Sequence, residues 1–185
     1  LDLLYGLWEY SIKNAKAEAA ELQKIMDREG KGEKLEAWDW WYYAEKLRQE
    51  KYDLNEDAIK PYFSQEDVHN GLCTVVNKLY GITLTPCDSI SVYNKDVKTY
   101  IVKDADGSLL GVFYSDYMPR ASKRSGAWMS NFREQQEGVR PLIYNVASFT
   151  KPAGDLPSLL TIDEARTMYH EFGHALHGLL TQCKY

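Results

Sequence analysis

One short segment constrains this chain more than any other: His170-Glu171-Phe172-Gly173-His174, inside a proline-free run from Ala165 to Leu180. Just ahead of it, Thr161-Ile162-Asp163-Glu164 has the form of a capping box, in which a Thr hydroxyl and a Glu three residues on satisfy each other's free amides. Residues 161–182 are therefore predicted to form a helix. Histidines four residues apart lie one above the other on a helical face, so their imidazoles can converge on a single ion. A carboxylate beside the first of them can take a proton from water that zinc has acidified from a pKa of about 15.7 towards about 7. Zinc is thus the expected cofactor, His170 and His174 its ligands, and Glu171 the general base. Met168, Phe172, Ala175, Leu176 and Leu179 give the same helix an apolar face, which predicts a core helix with a polar edge.

His177 continues the histidine face, but a rise of about 1.5 Å per residue sets it about 10 Å along the axis from His170. Zinc–nitrogen bonds are about 2.0–2.1 Å, so one straight helix cannot deliver three imidazoles to one ion. His177 is accordingly a substrate-groove or supporting residue. The longer signature H-E-x-x-H-x-x-G-x-x-H is not met, because position 177 is His and position 180 is Leu180.

The preceding residues change period midway. From Leu3 to Glu29 there is no proline, and Ala15 to Met26 is rich in helix formers, with Gly30 and Gly32 marking the end. A second helix is predicted from Leu35 to Lys51. Its Trp38, Trp40, Trp41, Tyr42 and Tyr43 surround so much of the helix that burial on several sides is expected. Ser64, with Asp67 three residues on, opens a third helix that runs to about Leu79 and ends near Gly81. Strand formers then take over at Ser91–Tyr93, Lys98–Val102 and Leu109–Tyr114, the last two joined by the turn Asp104-Ala105-Asp106-Gly107, and again at Leu142–Phe149. The expected fold is α+β, predominantly helical with a small, mostly antiparallel sheet. One compact unit is the simplest arrangement, with a helical part over 1–82, sheet and loops over 83–150, and the histidine helix over 161–182.

Composition excludes several functions. The 22 Lys and Arg against 27 Asp and Glu give a net charge of −5, which argues against a nucleic-acid partner. No apolar run approaches the roughly 18–20 residues of a membrane span. Cys73, Cys87 and Cys183 are widely spaced and odd in number, so a reducing compartment is expected. That favours the cytoplasm, with the periplasm as the alternative. Fourteen Tyr and five Trp predict extensive buried or groove-lining aromatic surface. Leu1-Asp2-Leu3-Leu4 lacks an initiator Met and a basic start, and reads as the inside of a longer chain.

Tyr169-His170-Glu171-Phe172-Gly173-His174-Ala175-Leu176-His177-Gly178-Leu179 resembles the active-site helix of the thimet oligopeptidase family of zinc metallopeptidases. Leu35-Glu36-Ala37-Trp38-Asp39-Trp40 with Tyr42-Tyr43 is similar to that family's aromatic helix. Gly111–Asp116, followed by Arg120, Lys123 and Gly126-Ala127, is similar to its strand and basic loop. Lys123–Met129 looks closest to the bacterial peptidyl-dipeptidase branch. The resemblance implies a zincin-like, neurolysin-like catalytic domain, truncated here, acting on oligopeptides, with release of C-terminal dipeptides implied by the branch. It also implies a third zinc ligand, a Glu on a separate helix a few tens of residues after the second His. The sequence stops at Tyr185, eleven residues after His174, with no acid after Glu171. A half-site that is inactive alone is the expectation, and a monomer is favoured.

In zinc peptidases of this design a sheet edge commonly pairs with an extended substrate, through backbone groups that tolerate varied side chains. Asn145, Val146, Ala147 and Ser148 are the candidate edge, with an ordinary interior strand as the alternative. The loop with Arg120, Lys123 and Arg124 either attracts a peptide carboxylate or is simply solvated. Two other functions stay open. One is a different zinc hydrolase with Asp163, Glu164 or Asp116 as third ligand, although the first two are better placed for capping. The other is a non-catalytic helical interaction module with incidental histidines.

Overall fold

The structure, a computed structural model, describes residues 1–185 except 31, 54, 55, 153, 155 and 185. Its contacts separate two units, Leu1–Asn55 and Glu56–Tyr185.

The first unit pairs α1 (Asp2–Arg28) with α2 (Trp40–Tyr52). Leu22, Ile25 and Met26 near the end of α1 bury against Tyr43 of α2, with Leu35, Trp40, Ala44 and Leu47 around them. Gln23 clasps the connection, donating to the Glu33 carbonyl at 2.9 Å and accepting from the Leu35 amide at 2.7 Å. The second helix starts at Trp40 rather than Leu35, because the Asp39 carboxylate accepts the Glu36 amide at 3.1 Å and holds a turn there. The aromatic residues of α2 are not buried on several sides. Trp38 and Trp41 are 79% and 82% exposed, and only Tyr43 is buried among the aromatics. A pair of helices buries one stripe on each, and Trp38 and Trp41 fall outside that stripe.

The second unit begins with α3 (Glu56–Ile59) and a 3-10 turn, Lys60–Tyr62, set by Pro61. The next helix, α4 (Gln65–Tyr80), is capped as expected: the Ser64 hydroxyl accepts the Asp67 amide at 3.0 Å. It ends at Gly81 with φ +74°, a left-handed conformation that suits glycine. Five strands follow: β1 (Thr83–Pro86), β2 (Lys98–Lys103), β3 (Leu109–Asp116), β4 (Trp128–Arg133) and β5 (Leu142–Val146). Their spatial order is β1-β2-β3-β5-β4. All neighbours are antiparallel except β3 and β5. The β2–β3 hairpin turns at Gly107, φ +83°, where the sequence placed it. Ser91–Tyr93 is not a strand. The final helix, α5 (Ile162–Leu180), supplies Met168, Phe172, Ala175 and Leu179 to one core, together with Leu72 and Val76 of α4 and Val102, Phe113 and Ile143 of the sheet.

The order of the strands overturns one site expectation. β5 lies between β3 and β4, so Asn145 and Val146 do not form a free edge, and Ala147 and Ser148 follow the end of the strand. Asn145, Val146 and Ala147 are buried. Asn145 stands opposite Ser115 on one side and Met129 on the other. The connection after β3 folds back as β4 and pairs with the outer side of β5. The sheet edge on that side, among the described residues, is therefore β4.

His69 of α4 packs its ring against Tyr100, with centroids 4.8 Å apart, and lies 3.6 Å from the Cys73 thiol. Burial, with a smaller contribution from Lys98, lowers its pKa to about 4 from 6.5. The unfolded chain therefore binds the extra proton first, and stability drains away as pH falls from 6.5 towards 4. Replacing His69 with Phe should flatten that part of the stability–pH curve, measured as the denaturant midpoint across pH 4–7.

Candidate metal centre and its groove

The histidine helix is fixed at both ends and along one face. At its start, the Thr161 hydroxyl accepts the Glu164 amide at 3.1 Å, and the Glu164 carboxylate accepts the Thr161 amide at 2.8 Å. At its end, Arg140 donates to the Leu179 carbonyl and the Leu110 carbonyl, each at 2.7 Å, tying the last turn to β3. Ala165, Met168, Phe172, Ala175 and Leu179 are buried at helical spacing. Phe172 meets Phe113 edge to face with ring centroids 5.0 Å apart. This pattern turns Tyr169, His170, Gly173, His174 and His177 outward.

His170 Nε2 and His174 Nε2 lie 3.2 Å apart. Two nitrogens bound to a tetrahedral zinc at about 2.0–2.1 Å stand about 3.3 Å from each other, so the pair has the spacing that the ion requires. Imidazole pairs also suit zinc chemically. Glu171 is half-buried and, with His174 and His177, lines a groove of about 730 Å³. The opposite wall comes from β4 and its approaches: Trp128, Met129, Asn131 and Glu134. Trp128 and Met129 stood in the sequence only as part of the Lys123–Met129 resemblance, and nothing in the sequence marked Asn131 or Glu134. The signal was weak because an exposed edge strand lacks clean alternation, and Ser130 and Asn131 interrupt its apolar residues.

Among the described residues, no group of three His, Cys, Asp or Glu side chains can hold a metal. The three acids weighed as a third ligand are committed elsewhere. Glu164 is the helix cap, and Asp163 pairs with Arg166 at 3.2 Å. Asp116 is fully buried and receives two hydrogen bonds from Arg120 at 2.8 Å, one from the Tyr93 hydroxyl at 2.8 Å, and an ion pair with Lys123 at 2.8 Å. Burial alone would raise the Asp116 pKa, but these three partners more than offset it and hold the carboxyl below its usual value.

The same cluster decides what the basic loop does. Lys123 is itself buried and donates to the carbonyls of Asp116, Met118 and Ala147 at 2.6–2.7 Å. Arg120, about a quarter exposed, and Lys123, whose side chain is buried, are therefore committed to Asp116. They pin the loop between β3 and β4 to the ends of β3 and β5. Arg124 remains exposed.

The sequence profile of Peptidase family M3 matches residues 1–185. The chain belongs to Peptidase family M3. Among M3 relatives it is 44% identical, over all of its length, to the dipeptidyl carboxypeptidase of Salmonella typhimurium, covering 28% of that protein. Against the dipeptidyl carboxypeptidase of Escherichia coli the identity is 42%, over 94% of this chain and 26% of the relative. Oligopeptidase A of Escherichia coli is 35% identical over 98% of this chain and 28% of its own length. The chain thus spans about a quarter of the length of the curated M3 relatives it matches. The resemblance read from the motifs, with its peptidyl-dipeptidase leaning, agrees with these matches.

Two glycines report on how tightly the metal helix is held. A β-carbon at Gly111 would come within 2.7 Å of the Pro141 carbonyl oxygen and 2.9 Å of Leu179 Cδ2, whereas one at Gly173 would meet nothing within 4 Å. Gly111→Ala should destabilise the fold by about 1–3 kcal/mol through overpacking against backbone. Gly173→Ala should stabilise it by about 0.5–1 kcal/mol, because glycine is a poor helix former in an open position. Thermal unfolding of the two variants checks both signs.

Proposed function

We propose that these residues form the metal-helix segment of a longer zinc peptidase that hydrolyses short peptides and releases dipeptides from their C-termini. The observation that carries this is the imidazole pair 3.2 Å apart, with Glu171 between the two histidines in sequence, facing a groove bounded by a sheet edge. Membership of family M3 supports the peptidase class. The names of the most similar relatives support dipeptide release.

When bound, zinc acidifies water and polarises a peptide carbonyl. His170 and His174 would hold it. Glu171 accepts the proton of the attacking water and returns it to the leaving amine, as a general base and then a general acid. The peptide lies extended along β4, whose outer backbone groups are available for pairing, and this explains how one site accepts varied sequences. The third ligand, expected to be a Glu, comes from polypeptide outside these 185 residues, since catalytic zinc sites use three protein ligands. Localisation is proposed as cytoplasmic from the cysteine usage, and the three cysteines are free in the structure. No helix among the described residues is long and apolar enough to cross a membrane.

In the longer polypeptide, Glu171→Gln should keep stoichiometric zinc and lose hydrolysis by about 10²–10⁴-fold. His170→Ala should lose both. Zinc content by elemental analysis and hydrolysis of an internally quenched peptide read the two effects separately. The 185-residue segment alone should hold zinc weakly and leave the peptide intact; chelator-sensitive hydrolysis by the segment would overturn that part.

A further inference from the structure

The groove beside Glu171 has a sign. Its described lining includes no Lys or Arg, while Glu134 adds an exposed carboxylate at the end of β4. Among the described residues Glu134 makes no ion pair or hydrogen bond. The nearest basic side chain in sequence, Arg133, turns to the Arg140 carbonyl at 2.9 Å. Glu137, three residues on, is the acid that pairs with Lys184, at 3.5 Å. Glu134 is thus an unneutralised anion on the wall of the groove where a peptide would lie.

Two contacts set its position along that peptide. Gly178 of α5 approaches Met129 and Ile143 so closely that a β-carbon there would come within 3.0 Å and 2.8 Å of their ends. Six residues later, Lys184 reaches Glu137. The groove walls therefore run in the same sense, from His174 past Met129 towards Thr181, Cys183 and Glu134. Thr181 stands seven residues beyond His174, about 10 Å along the helix axis. At about 3.3 Å per extended residue, that is about three residues of substrate. A peptide pairing antiparallel with β4 runs towards the histidines from the Glu134 end, which puts its N-terminal portion there.

We propose that Glu134 is a specificity-determining residue that selects a cationic group, a Lys or Arg side chain or a free N-terminal ammonium, about three residues before the scissile bond. This rests on the peptidase reading of the same groove. Opposite charges raise encounter rate and discrimination at a partly exposed site, and salt weakens both.

The test uses the full-length enzyme and quenched peptides that differ only at the third residue before the cleaved bond, carrying Lys, Gln or Glu, each N-acetylated. At low salt, kcat/KM should rank Lys over Gln over Glu, with steps of about threefold, the size expected of an exposed ion pair. The ranking should collapse in Glu134→Gln and shrink in high salt. Binding of the same peptides to Glu171→Gln, read by fluorescence anisotropy, should show the same order without turnover. Peptides beginning at that third residue with a free amine should gain over their acetylated forms only when Glu134 is present, which identifies the ammonium as a second source of the charge. Equal rates for the three peptides, or a ranking that survives Glu134→Gln, would overturn the proposal while leaving peptide hydrolysis standing. Loss of all zinc-dependent hydrolysis in the wild type would instead remove the peptidase reading itself.

Discussion

At Gly111 a β-carbon would sit 2.7 Å from the Pro141 carbonyl oxygen and 2.9 Å from Leu179 Cδ2, so β3 meets the approach to β5 at backbone distance and takes the Leu179 side chain of α5 directly against its backbone. That approach sets the height of the metal helix above the sheet. Gly178 repeats it one layer across, against Ile143 and Met129. With the helix this close, Phe172 reaches Phe113, and Arg140 can span from the Leu110 carbonyl to the Leu179 carbonyl. The outward tilt of His170 and His174 follows from what the opposite face buries. A larger residue at Gly111 would lift the helix and, with it, the wall that the groove shares with β4.

The loop between β3 and β4 meets a different requirement. It has to leave a buried strand end, travel outward and return as an edge strand, and a charged cluster rather than apolar packing holds it. Asp116 has no exposed surface, and a carboxylate there is tolerable only because Arg120, Lys123 and Tyr93 surround it. Lys123 also satisfies three carbonyls, one of them on Ala147, so the end of β5 and the loop become one rigid piece. Removing one member of such a cluster leaves the buried Asp116 carboxylate short of partners, which is why Arg120 and Lys123 are structural.

What could be read from sequence divides along physical lines. The start of α5 was legible because cap, apolar spacing and histidine spacing are all local and agree with one another; its end comes at Leu180 rather than at residue 182. The Ser64 cap and the Gly81 stop of α4 were legible for the same reason. The β2–β3 hairpin showed itself through its turn. Strand order was not legible: β5 looks the same from sequence whether it is an edge or is flanked by β4, and only its pairing with Trp128–Arg133 decides it. β4 is half-exposed and carries Ser130 and Asn131, so its period is faint. β1 is four residues long with a terminal Pro86. The exposure of Trp38 and Trp41 was hidden for another reason, since residue type reports the tendency to be buried but not whether a partner is present. His170, Glu171 and His174 came from spacing alone, whereas Glu134 and Trp128 join them only through the fold.

The position of the histidine pair has a further consequence. His174 opens on the β4 side of α5, while His170 lines a separate groove of about 750 Å³ with Tyr62, Phe63, Val68 and Tyr169. An ion between the two nitrogens would be approachable from both sides of the helix. The two sides differ chemically. One is bounded by a sheet edge with free backbone groups and by the Glu134 carboxylate. The other is walled by aromatic and aliphatic side chains and carries Asp67 and Arg166. A hydrolytic centre has to hold the acyl and amine portions of a substrate in opposite directions from the same reacting bond. In the proposed peptidase, a histidine pair on the crest of a helix between two unlike grooves would do this with one short motif, and would leave each direction free to be tuned by residues outside it.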